Sequence, residues 1–347
     1  MPADHVPGGP PAAGPRSAAP VARPATRALA ARRPGERVAR IRLTSTEVTV
    51  RARPRTGPGE RGAPAEDLDA SMARAIEIVQ EVARTCSRVD PESPLALVNA
   101  EPSRWHVVPD LLLAVLVEGD RAYRRTSGRV DPRVPQPAAP SVAAPSVAAP
   151  SVAADPGRLP GTPWRLQVRQ AHRAVHLGGT PVELDGVALG LALRWASAEL
   201  GQATRDFLVT AGSVAFGSGD GPDGTPWRIE VDDPRDEGSP LLRVSVAGRA
   251  AATTARRARR AGADGRPVQE VADPVTGRDG GEGLVSATVV DADPSYASTW
   301  STALYLAGAP EIEAVAGRAQ LAALWVSSDG SWSHTAPVAP FLDKVRP

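Results

Sequence analysis

The chain has 347 residues, enough for one large domain or two ordinary ones, and its 42% apolar share can fill a core although aromatic residues are only 4%. A formal net charge of +1 gives no support to a nucleic-acid or polyanion partner. Cys86 is the only cysteine, which excludes a disulfide framework and a thiolate zinc site, and no apolar run approaches the roughly 18 residues that a membrane span needs.

Residues 1–38 are rich in Pro, Ala and Arg, with seven arginines against two acids over residues 1–40. Arg32-Arg33 is followed by Pro34, Glu36 and Arg37 rather than by an apolar stretch, so it does not make an export signal. The expectation is a disordered basic tail on a cytoplasmic protein. From residue 40, Ile41 and Leu43, then Val48 and Val50, alternate with polar neighbours at strand period. Leu68, Met72, Ile76, Val79, Val82 and Cys86 follow at spacings of three and four, which predicts an amphipathic helix with Cys86 as a small core residue. A second helix is expected over 110–126, stopped by Gly128.

AAPSV then occurs three times in tandem over 138–152. Proline every fifth residue with small side chains between cannot build a core, so residues 136–157 read as an extended linker. Beyond it the pattern is β-rich: 163–177, 226–231, 241–248 and 284–290 read as strands, and 323–333 as strand, Asp-Gly turn, strand. Helices are expected near 188–200 and 297–307, and residues 336–347 as a C-terminal tail. Helices and mainly antiparallel strands in irregular order argue an α+β domain over 39–335.

Near the end, Ser298 and Thr302 stand four residues apart where a polar turn becomes apolar, so both can face one ligand from one side of a helix. Hydroxyls at a helix start are also its commonest caps, and the spacing alone leaves both roles open. His172 and His176, on one expected strand, would sit ~13 Å apart at ~3.3 Å per residue, as surface residues rather than paired ligands. His106 beside Trp105 reads as an interface histidine, and the arginines of 256–260 as a solvated loop.

Five segments in order resemble one family, the FAD:protein FMN transferases of the ApbE type. They are CSRVDPESPLALVN (86–99), TSGRVDPRV (126–134), GTPWRIEVDDPRD (224–236), DPVTG (273–277) and SATVVDADPSYASTWSTALYLAG (286–308). The resemblance implies a two-lobed mixed domain of largely antiparallel strands with flanking helices, FAD as substrate, Mg²⁺ at the pyrophosphate, and an acceptor protein whose Thr or Ser hydroxyl takes FMN as AMP leaves. It assigns Gly186, Ala188, Gly190, Gly212, Thr253, Asp273 and Thr276 to the cofactor, and the Ala188 carbonyl, Ser298 and Thr302 to the metal.

Several positions depart from the family's pattern. In ELDGVALG (183–190), Asp185 stands for a glycine and Leu189 for a lysine. Ser298 occupies the position of the metal-binding aspartate, Glu270 that of a histidine, and Thr210 and Val214 those of an asparagine and an acid. Val89 and Val130 replace aromatic residues. Asp291 and Asp293 are the nearby acids that can compensate. Three functions therefore stand: a working FMN transferase, a non-catalytic descendant that binds flavin, nucleotide or a partner protein through the old cleft, and a structural or interaction module with no ligand.

Overall fold

The computed structural model describes residues 26–28, 35–43, 46–54, 65–133, 163–232, 240–256, 271, 273–274 and 280–343. In chain order the strands are β1 (Thr26–Ala28), β2 (Arg37–Leu43), β3 (Thr46–Ala52), β4 (His106–Val107), β5 (Gln167–Arg169), β6 (Ala174–His176), β7 (Phe207–Ala211) and β8 (Val214–Ser218). They continue as β9 (Trp227–Asp232), β10 (Pro240–Val246), β11 (Arg249–Ala255), β12 (Leu284–Asp291), β13 (Ala322–Ser327), β14 (Trp332–His334) and β15 (Leu342–Asp343). The helices are α1 (Ala65–Thr85), α2 (Pro94–Ala100), α3 (Asp110–Arg125), α4 (Asp185–Ala203) and α5 (Pro294–Arg318).

An eight-stranded antiparallel sheet, ordered β14-β13-β12-β11-β8-β7-β3-β2, forms the middle layer. Its side chains alternate between two cores, as strand geometry requires. Val48, Val50, Val209, Ala250, Ala252 and Val289 face a helical layer holding Leu68, Leu116, Leu193 and Leu304. Leu208, Ala251, Val290 and Leu324 face the other way, onto Trp227, Ile229, Val244 and Val246 of the sheet β1-β9-β10-β15. The α+β class and the antiparallel character follow the expectation from sequence.

Three elements differ from it. Residues 163–177 form two strands rather than one: β5 and β6 pair across a 3-10 turn, and Arg173 at φ 48 closes the bend. His172 therefore lies in the turn and His176 in β6, so the single-strand spacing does not apply. Part of the expected N-terminal tail is ordered, because β1 pairs with β9 and buried Glu36 accepts from Arg51 Nε at 2.6 Å. The expected C-terminal tail packs through residue 343, with Val338 fully buried and β15 paired to β10. The tandem AAPSV segment, Glu270 and Thr276 lie outside the described residues.

Candidate active site

Helices α4 and α5 meet through glycine. Gly186, Gly190 and Arg194 recur every fourth residue and share one face of α4. A Cβ on Gly190 would stand 2.8 Å from Ser295 Cα and 3.0 Å from the Pro294 carbonyl oxygen, so the two backbones touch where any side chain would separate them. That approach brings Ser298 to α4, where its hydroxyl donates to the Gly186 carbonyl at 2.9 Å.

Neither member of the hydroxyl pair caps the helix. Asp293 does, accepting from the Ser295 N–H at 2.9 Å. Ser301 and Thr302 both donate to the Ser298 carbonyl, at 3.0 and 3.2 Å. Thr254 Oγ1, reaching in from β11, lies 3.0 Å from Ser301 Oγ and 3.1 Å from Thr302 Oγ1. With the Ser301 and Thr302 protons committed to the carbonyl, the single Thr254 proton serves only one of its two neighbours. The cluster is rich in oxygen lone pairs and carries no formal charge.

The nearby acids are engaged elsewhere. Asp293 pairs with Arg194, whose Nε donates at 2.9 Å, and Arg194 Nη2 also reaches buried Glu118 at 3.3 Å. Glu118 accepts from Ser295 Oγ at 2.9 Å and from Arg121 at 3.2 Å, which ties α3 to the start of α5. Asp291 Oδ1 accepts from the Asp293 N–H at 2.9 Å. Among the described residues no group of three or more His, Cys, Asp or Glu side chains is placed to hold a metal. A hard divalent ion depends on carboxylate ligands, and the carbonyls and hydroxyls around Ser298 do not supply them.

Asp185 opens α4 beside Gly186 and is solvent-exposed, although protein crowds its carboxyl. Those surroundings raise its carboxyl above the usual range, while the Arg88 charge opposes the shift. Cys86 is fully buried, and its thiol is pushed up to about 12 by burial and by the Asp185 charge. Leu189 lies against Gly212, whose added Cβ would meet Leu189 Cδ2 at 3.5 Å; Gly212 itself turns at φ 56. These contacts bring two sequence-distant candidate segments together.

Other candidates are placed apart from the junction. Ala188 is buried and, at about 100° per residue, lies on a different face of α4 from Gly186. Thr253 bonds Thr288 at 2.8 Å within the sheet, whereas its neighbour Thr254 points to α5. Asp273 is half-buried, and Val89 is 65% exposed. Ser301, Glu118 and Arg194 were not singled out from sequence. Ser301 had a signal in its helical spacing from Ser298, and Glu118 in being an acid inside the apolar run of α3.

A cavity of about 520 Å³ opens among Arg125, Arg249, Asp291, Asp293, Tyr296 and Phe341. Its lining takes in Asp293, the cap of α5, and Tyr296, two residues before Ser298, so it adjoins the start of that helix. Ser298 and Thr302 are not among its lining residues.

The sequence model of the ApbE family matches residues 44–325, which contain every element of the junction. The chain belongs to the ApbE family. It is 30% identical over 130 residues to a FAD:protein FMN transferase of Salmonella typhimurium, and 30% identical over 125 residues to one of Escherichia coli. These matches cover 37% and 36% of each chain respectively, so the aligned part spans little more than a third of those relatives. Solved structures agree over more of the fold. The Vibrio cholerae flavin transferase ApbE superposes with TM-score 0.68 at 22% identity, covering 88% of this chain and 99% of that one. The ApbE protein of Thermotoga maritima gives 0.70 at 18% identity over the same shares. Among the described residues no helix is long and apolar enough to cross a membrane.

Proposed function

We propose that this member of the ApbE family binds FAD at the α4–α5 junction and transfers FMN to a Thr or Ser hydroxyl of an acceptor protein. The observation that carries this is the Ser298–Gly186 hydrogen bond, because it joins the two segments that resemble the family's phosphate and metal elements. The named activity of the Salmonella and Escherichia relatives supports the same reaction class.

In that reaction the acceptor oxygen bonds to the phosphorus of the FMN half. The bond from this phosphorus to the bridging oxygen breaks, AMP departs with that oxygen, and the hydroxyl proton passes to a base. Positioning and charge stabilisation dominate such phosphoryl transfers. On this chain Gly190 lets α5 approach α4, and Ser298, Thr302 and Thr254 present hydroxyls at the contact. The Glu118–Arg194–Asp293 network holds the start of α5 in place. Mg²⁺ assistance, which the resemblance implied, finds no carboxylate set at this junction.

Purified protein incubated with FAD and a Thr-bearing acceptor peptide, with and without Mg²⁺, tests the proposal. Release of AMP together with a covalent flavin adduct is the expected result. Bound flavin without AMP under any metal condition would replace catalysis with the non-catalytic binding role.

A further inference from the structure

The charge count at the α4–α5 junction sets it apart from a metal-assisted pyrophosphate site. The oxygens gathered there belong to the Gly186 and Ser298 carbonyls and to the hydroxyls of Thr254, Ser298, Ser301 and Thr302. None is a carboxylate. Asp293 is held by Arg194 and by the first turn of α5, and Asp291 by the Asp293 N–H. Ser298 and Ser301 are buried, whereas Thr302 and Thr254 are half-buried.

We propose that this chain holds FAD without a divalent cation, the hydroxyls of Ser298, Thr302 and Thr254 making the phosphate contacts that a cation would otherwise make. The inference rests on FAD being the ligand of this junction. Each hydroxyl now donates to a neutral carbonyl or hydroxyl. Turning its proton to a phosphate oxygen exchanges a neutral hydrogen bond for a charge-assisted one, about twice as strong. A divalent ion here would find anionic ligands only on the pyrophosphate, since the protein oxygens around it are neutral, and Mg²⁺ gives up its water reluctantly. Asp185, which adjoins Gly186, is the carboxylate to test as a metal ligand.

Flavin fluorescence titration with FAD, in excess EDTA and again in excess Mg²⁺, tests the proposal on the full chain. Expected is binding in both, with dissociation constants within about threefold of each other. Weakening by roughly tenfold or more in EDTA overturns the proposal. If the same metal dependence disappears in Asp185→Asn, Asp185 is the missing ligand. Thr302→Val keeps the side-chain shape and removes one donor. It should weaken FAD by about threefold to tenfold, equally with and without metal. An unchanged affinity in that variant, with its fold intact by circular dichroism, overturns the hydroxyl assignment. Absence of FAD binding by the parent in both conditions overturns the functional proposal and this inference with it, whereas metal-dependent binding overturns the inference alone.

Discussion

Gly190 and Ser295 are so close that a single methyl group would not fit between them: a Cβ on Gly190 would lie 2.8 Å from Ser295 Cα. The contact is backbone against backbone, so no side chain can rotate away to make room. Gly190→Ala gains about 1 kcal/mol of helix propensity and incurs about 1–3 kcal/mol of overpacking. Because the obstacle is main chain, overpacking should win, with a net loss of up to roughly 2 kcal/mol. Urea denaturation measures it. A variant as stable as the parent would mean that α4 and α5 are not in contact at this point.

The fold was legible in sequence wherever burial imposed a period. The apolar stripes of α1 and α3, and the alternation in β9, β10 and β12, gave those elements close to their observed bounds. β11 reads RAAATTA, whose small residues carry no period, and within it the resemblance marked only Thr253. Residues 163–177 misled because the alternation continues on both sides of the 3-10 turn and nothing but Arg173, in a left-handed conformation, marks the bend. Half of the junction was equally legible. The spacing of Ser298 and Thr302 pointed to a shared face, but their partners are main-chain carbonyls, which leave no mark in a sequence. The Glu118–Arg194–Asp293 network joins residues 76 and 99 positions apart, and pairing at that range depends on the fold.

That network makes Glu118 a stability determinant. Its side chain is buried, and it accepts from Ser295, Arg194 and Arg121. Glu118→Ala leaves the Ser295 hydroxyl without its acceptor and Arg194 with Asp293 alone. Losing one partner of a buried charge network should cost roughly 2–4 kcal/mol, the Asp293 pair sparing Arg194 the full penalty. Glu118→Gln should recover part of the loss by still accepting from Ser295. Equal stabilities for the alanine variant and the parent would show that the network is not formed in solution.

Asp185 gives a pH dependence of known sign. Its carboxyl is raised above the ordinary 3.8, by burial first and with Arg88 opposing. A raised acid favours the folded state while it is protonated, and that advantage is lost as pH climbs from the unfolded value through the folded one. Asp185→Asn stays neutral throughout. It should therefore be more stable than the parent at neutral pH and indistinguishable from it below about pH 3.8. Melting curves across that range decide the matter. A variant less stable than the parent at neutral pH would mean that the carboxylate is stabilised in the fold.

Leu189 offers the most direct test of where the phosphates lie. It occupies the position of the family's lysine and packs against Gly212, with which it brings two candidate segments together. The side chain is half-buried, so a lysine there can lay its stem along the same surface and carry its ammonium into the cleft. If FAD's pyrophosphate sits at the α4–α5 junction, Leu189→Lys adds one positive charge near it and should tighten FAD by about threefold to tenfold at low salt. A screened Coulomb contact weakens as the Debye length falls from ~30 Å at ~0.01 M to ~3 Å at ~1 M. The advantage should therefore shrink as salt is added. A gain independent of salt would point to packing rather than charge. No gain at any ionic strength, in a variant that folds like the parent, would place the phosphates away from Leu189 and remove the α4 side of the proposed site.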